Sequence, residues 1–164
     1  MGYTTDFEGQ FALDKQLNKN HQDYLRAFAQ SRRMKRDSNK TEKLPDDIRK
    51  NVDLPCGIFG EFYVGGYGNN YGQKETSDIL DYNQPPDGQP GLWCQWIPSE
   101  DGMSIIWDDG EKFYNYVEWI KYIIHNFLQP WGYTLNGEVN WYGEDREDIG
   151  KIVIKKNKVT IKEQ

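Results

Sequence analysis

The stretch Tyr133-Thr134-Leu135-Asn136-Gly137-Glu138-Val139-Asn140-Trp141 decides the fold class. Tyr133, Leu135, Val139 and Trp141 alternate with Thr134, Asn136, Glu138 and Asn140. A period of two belongs to a strand with one buried face. After an acidic turn, Ile152 and Ile154 alternate with Lys151, Val153 and Lys155. Asn157 marks a tight turn, and Val159 and Ile161 lead the chain back. The pattern predicts a three-stranded antiparallel meander.

Upstream, Leu92-Trp93-Cys94-Gln95-Trp96-Ile97 reads as a strand, Pro98 to Gly102 as a turn, and Met103 to Trp107 as the returning strand of a hairpin. Asp108 and Glu111 have the spacing of a capping box. From there Phe113, Val117, Ile120, Ile124 and Phe127 recur at helical spacing until Pro130 and Gly132. Near the start, Tyr3, Thr5, Phe7, Phe11 and Leu13 share one face of a further strand. Asn18 caps a helix with Tyr24, Leu25 and Phe28 on its apolar side. That helix runs into Arg32-Arg33-Met34-Lys35-Arg36, read as a solvated helix end. Glu61 to Val64 reads as one more short strand.

Residues 37–58 and 65–91 are irregular connectors, broken by proline and glycine. The second contains Gly65-Gly66-Tyr67-Gly68-Asn69-Asn70-Tyr71-Gly72, expected to be a mobile surface loop. The sequence therefore predicts an α+β fold over 1–164 as a single domain. An antiparallel sheet would carry two helices on one face and end in the meander.

Several stretches together resemble a group of small uncharacterised proteins encoded by bacteria and tailed phages. They are Met1 to Phe7, Gln89 to Trp96, Glu100-Asp101-Gly102, Trp107-Asp108, Gly110 to Trp119 and Gly132 to Val139. The likeness is weak from about residue 37 to 80. It implies a bacterial or phage cytoplasm and transfers no catalytic residue.

Composition narrows the function classes. A net charge of −6 argues against nonspecific nucleic-acid binding. No apolar run could span a bilayer, and the N-terminus has neither basic start nor apolar core. A cytoplasmic protein is expected. Two histidines, His21 and His125, have no metal-ligand spacing, so neither metal nor cofactor is expected. Gly66 and Gly68 follow a candidate strand, but no helix and no Gly-Lys-Ser/Thr follow them. A Cys94–His125 nucleophile pair is conceivable, but a cysteine between two tryptophans reads as inert core.

The residual signal is aromatic: Trp, Tyr and Phe make up 15% of the chain, more than the core pattern uses. Trp119 and Tyr122 fall off the helical stripe, and Trp93 and Trp96 fall on opposite faces of their strand. With Tyr114, Glu118 and His125 they form the candidate contact set Trp93, Trp96, Tyr114, Glu118, Trp119, Tyr122 and His125. A second small core is the plainer account of these rings. The function this suggests is noncatalytic binding of a partner protein or a small aromatic ligand, as in a phage accessory or anti-defence factor. The alternative is an enzyme acting on a nucleotide-like small molecule through Glu118, Tyr114 and His125.

Two cysteines, Cys56 and Cys94, are too few for a disulfide framework. Unreduced protein, once unfolded, should titrate with two thiols per chain. A mass two hydrogens short with no reactive thiol would contradict this.

Overall fold

The structure is a computed structural model and describes residues 2–66 and 72–163. The core of the glycine-rich loop, Tyr67 to Tyr71, lies outside the described residues. In chain order the elements are β1 (Asp6–Leu13), α1 (Lys19–Ala29), β2 (Lys35–Arg36), α2 (Ser38–Thr41), α3 (Asp47–Lys50), β3 (Ile79–Asp81), β4 (Trp96–Pro98), β5 (Ser104–Trp107), α4 (Tyr116–Ile123), β6 (Leu135–Tyr142), β7 (Ile149–Lys155) and β8 (Lys158–Glu163). They fall into two compact units, Met1–Leu17 with Gln95–Gln164, and Asn18–Cys94.

The first unit holds a six-stranded antiparallel sheet in the order β4-β5-β1-β6-β7-β8. The alternation read from the sequence sorts its faces. Phe11, Leu13, Leu135, Val139, Trp141, Ile152 and Ile154 are buried, while Asp6, Glu8, Gln10 and Glu138 face solvent. Two glycines let the strands close. Gly137 lies opposite Phe11 at φ +138, and a Cβ there would stand 2.8 Å from the Gln10 carbonyl oxygen. Gly150 lies opposite Trp141 and leaves the space that the indole fills. The β7–β8 turn puts Lys156 and Asn157 in left-handed conformations, as a two-residue hairpin requires.

The second helix departs from the sequence expectation. It begins at Tyr116, not near Glu111. Asp108 accepts from the Gly110 amide at 2.8 Å, so its carboxylate closes a local turn and does not cap the helix. Asp109, Lys112 and Asn115 all have positive φ (65, 57 and 57), a conformation a right-handed helix cannot contain. After Ile123 the helix widens into a π-helical turn, Ile124–Leu128. The extra residue broadens the buried face, so Trp119, Ile120, Ile123, Ile124, Phe127 and Leu128 are all buried. The expected strand from Leu92 is regular only from Trp96.

The second unit has little regular structure. Asn18 caps α1 by accepting from the His21 amide at 2.8 Å. The ladder β2–β3 pairs Lys35 with Asp81 and Arg36 with Ile79. Glu61 to Val64, expected as a strand, is turn and coil. The basic run after α1 is not a solvated helix end: Arg33 is 2% exposed and Arg36 6%. Arg36 Nη1 meets Asp78 Oδ2 at 2.7 Å, and Thr41 Oγ1 donates to the same oxygen at 2.8 Å. Thr76 donates to the other oxygen of Asp78. Arg33 Nη2 donates to the carbonyls of Tyr63 (2.6 Å) and Glu61 (3.1 Å), with its guanidinium over the Phe28 ring. Arg49 pairs with Asp46 at 2.5 Å and donates to the Leu54 carbonyl at 2.7 Å. These side chains supply the partners that a ladder would otherwise give the connectors.

Burial alone would raise the Asp78 carboxyl. Hydrogen bonds from Thr76, Arg36 and Thr41 outweigh burial and hold it below the ordinary carboxylate range. A group with a depressed folded pKa stabilises the fold above its unfolded value and loses that contribution as pH falls through the folded one. Asp78→Asn should lower unfolding stability near pH 7 by about 3 kcal/mol, because it leaves a buried guanidinium without its counter-charge. The gap between wild type and variant should narrow as pH falls below about 4. A constant gap from pH 7 to pH 3 in urea denaturation would contradict this account.

Candidate functional site

Six of the seven residues in the sequence-derived set lie in the sheet-bearing unit. Trp93 belongs to the other unit, half-buried and outside any strand. Trp96 is buried on β4 among Phe7, Phe11 and Phe113, with ring centroids 5.3 to 5.5 Å away. Its indole N–H donates to the Tyr116 carbonyl at 2.8 Å, which ties β4 to the first residue of α4. Trp119 is 0% exposed and packs edge-on against Tyr122 at 5.4 Å. Neither Trp96 nor Trp119 presents a ring to solvent, so both are core. The reading of Trp119 as off the apolar stripe assumed a helix one turn longer and of regular pitch.

The remaining residues do reach the surface. Glu118 and His125 are exposed and Tyr122 is half-buried. Their spacing of four and three residues puts them on one side of the helical segment. Tyr114 stands just before α4 with 51% of its surface exposed. Phe113 beside it is buried against Phe7 and Trp96. The turn-rich segment therefore anchors one ring and turns the next outward.

Tyr114 does not swing freely. Its hydroxyl accepts from the Tyr3 amide at 3.1 Å. The Tyr3 hydroxyl donates to Asp148 Oδ2 at 2.8 Å and accepts from the Asp145 amide at 3.0 Å. The indole of Trp141 donates to the other Asp148 oxygen at 3.0 Å. Sequence reasoning placed Asp148 in an acidic turn and Tyr3 on one face of the first strand, but β1 begins only at Asp6 and Tyr3 turns to Asp148 instead. The signal was absent because Tyr3, Tyr114 and Asp148 lie more than thirty residues apart along the chain. Tyr116 closes the cluster beneath: burial, with the Asp148 charge adding, pushes its hydroxyl up to about 12.

The arrangement holds these groups in place through hydrogen bonds. Asp148 is occupied by Tyr3 and Trp141. Among the described residues the hollow beside it is lined by four consecutive turn residues, Asp145 to Asp148. Burial pushes the Cys56 thiol up, away from the reactive thiolate. Among the described residues no group of three or more His, Cys, Asp or Glu side chains is placed to hold a metal ion. No helix of the described residues is long and apolar enough to cross a membrane. Comparison with family models, curated proteins and solved structures gives no match for this chain.

Because Trp119 is core and Tyr114 is not, their truncations should separate. Trp119→Ala should cost about 3–5 kcal/mol of stability, as for large buried aromatics. Tyr114→Ala should cost under about 1 kcal/mol, the loss of one exposed hydrogen bond. Chemical denaturation of both variants checks this, and equal losses would contradict the placement.

Proposed function

We propose that this chain is a noncatalytic binding protein of a bacterial or phage cytoplasm, and that it holds a partner protein through Tyr114 and the neighbouring exposed side of α4. One observation carries the reading: an exposed tyrosine ring held in place by a strained segment. Three non-glycine residues within seven, Asp109, Lys112 and Asn115, adopt left-handed backbone. Such conformations are unfavourable for residues with side chains and persist where the surroundings enforce them, often at working surfaces. Here the enforcing contacts are Phe113 in the aromatic core and the Tyr3 amide on the Tyr114 hydroxyl.

A tyrosine fixed in this way loses little freedom on binding and offers both an apolar ring and a polar tip. Glu118, Tyr122 and His125 extend the surface with charge, ring and imidazole. About half of the residue's surface is open to solvent, which favours a protein partner over a small enclosed ligand.

The test uses affinity capture from bacterial lysate with wild-type protein and Tyr114→Ala as paired baits, then titration of purified partners. At least one partner should bind wild type and lose about tenfold or more in affinity with Tyr114→Ala, the magnitude of an aromatic hot spot. A thermal melt of the variant must stay within a few degrees of wild type. If every captured partner binds both proteins alike, the Tyr114 surface is not the site.

A further inference from the structure

The six-stranded sheet ends on β8, and among the described residues no strand pairs with its outer edge. An edge strand points alternate N–H and C=O groups away from the sheet, where an extended peptide can bond them. The opposite edge, β4, has three residues and contains Pro98. β8 has six residues, with neither proline nor a positive-φ residue among them.

Its side chains divide by face. Val159 and Ile161 lie opposite Ile154 and Ile152, on the apolar side, and Ile161 is 39% exposed. Lys158 and Lys162 lie on the other side, directly opposite Lys155 and Lys151. Like charges opposed across an antiparallel ladder repel. Among the described residues only Lys151 of these four has an ion-pair partner, Glu138 at 3.1 Å. The edge therefore carries a local positive field in a chain of net charge −6. Edge lysines commonly deter pairing with a like strand. They deter a second β8, which brings more lysines, but they attract a strand that carries acids.

We propose that β8 is a docking strand for an extended, acidic segment of a partner protein, added as a seventh strand of the sheet. The segment alternates acidic and apolar residues. Its backbone bonds the outer edge of β8, its carboxylates face Lys158 and Lys162, and its apolar side chains cover Val159 and Ile161. The inference stands without the reading of Tyr114.

The test titrates the full chain with a fluorescent eight-residue peptide in which Glu alternates with Val and Ile. Two further versions carry backbone N-methyl groups, one on the Glu positions and one on the apolar positions. A strand added at an edge bonds through one set of its amides. One methylated peptide should therefore lose binding while the other keeps it. The double variant Lys158→Glu/Lys162→Glu should weaken the parent peptide about tenfold or more and accept a peptide with Lys in place of Glu. Ile161→Thr, which keeps a β-branched side chain, should weaken binding through the apolar face alone. The proposal is overturned if the parent peptide fails to bind at millimolar concentration. It is also overturned if both methylated peptides bind as well as the parent. Binding of a thymidine octanucleotide with none of the peptide would assign the lysines to nucleic acid and overturn it equally.

Discussion

A carboxylate removed from water must be met by charge and hydrogen bonds, or it takes up a proton. Asp78 is met by Arg36, Thr41 and Thr76, and Asp46 by Arg49 and the Val64 amide. Around these two acids the described residues of the Asn18–Cys94 unit hold together with one long helix, two four-residue helices and a short ladder. Its connectors leave backbone carbonyls that no strand satisfies. Arg33 takes those of Glu61 and Tyr63, Arg49 that of Leu54, and Arg32 that of Tyr82. Guanidinium suits this work because its donors lie in a fixed fork and its charge does not titrate. The two acids differ in consequence. Asp78 is held low by its bonds, whereas burial pushes the Asp46 carboxyl up despite Arg49.

The sheet unit solves a different problem by other means. Phe7 stands at the middle of a cluster with Trp96, Trp107, Phe113 and Tyr116, at centroid distances of 4.9 to 5.8 Å. Edge-to-face contacts of this kind add to the burial of area. The aromatic surplus in the composition is thus largely spent on the inner side of the sheet and on the helix that follows. Tyr114, 51% exposed, is one of the rings left over, with Tyr142 at 41%. The constraints that hold Tyr114 arise because Phe113 is drawn into the cluster while the next residues must turn into α4.

Much of the sheet was legible because strand patterns are local. The alternation in 133–141 and 151–161 places each residue on a face, and the structure shows Leu135–Tyr142, Ile149–Lys155 and Lys158–Glu163 as strands of one antiparallel sheet. The hairpin around Gly102 and the cap at Asn18 were legible for the same reason, since a turn or cap depends on a few neighbouring residues. The candidate site was legible in part. Tyr114, Glu118, Tyr122 and His125 reach the surface, while Trp96 and Trp119 are core.

The sequence by itself determined the α+β class, the polarity of the strands' two sides and the apolar stripe after Trp107. Each follows from periodicity over about ten residues, and the periods of helix and strand differ. Only the tertiary structure decided where that second helix starts, because three left-handed residues and the pull of Phe113 override a capping pattern. It alone decided that the basic run is interior, since a guanidinium is buried when distant carbonyls and a carboxylate converge on it. It alone brought Tyr3, Tyr114 and Asp148 together. Hydrogen bonds between residues 3, 114 and 148 leave no period in the chain, and no local pattern can announce them.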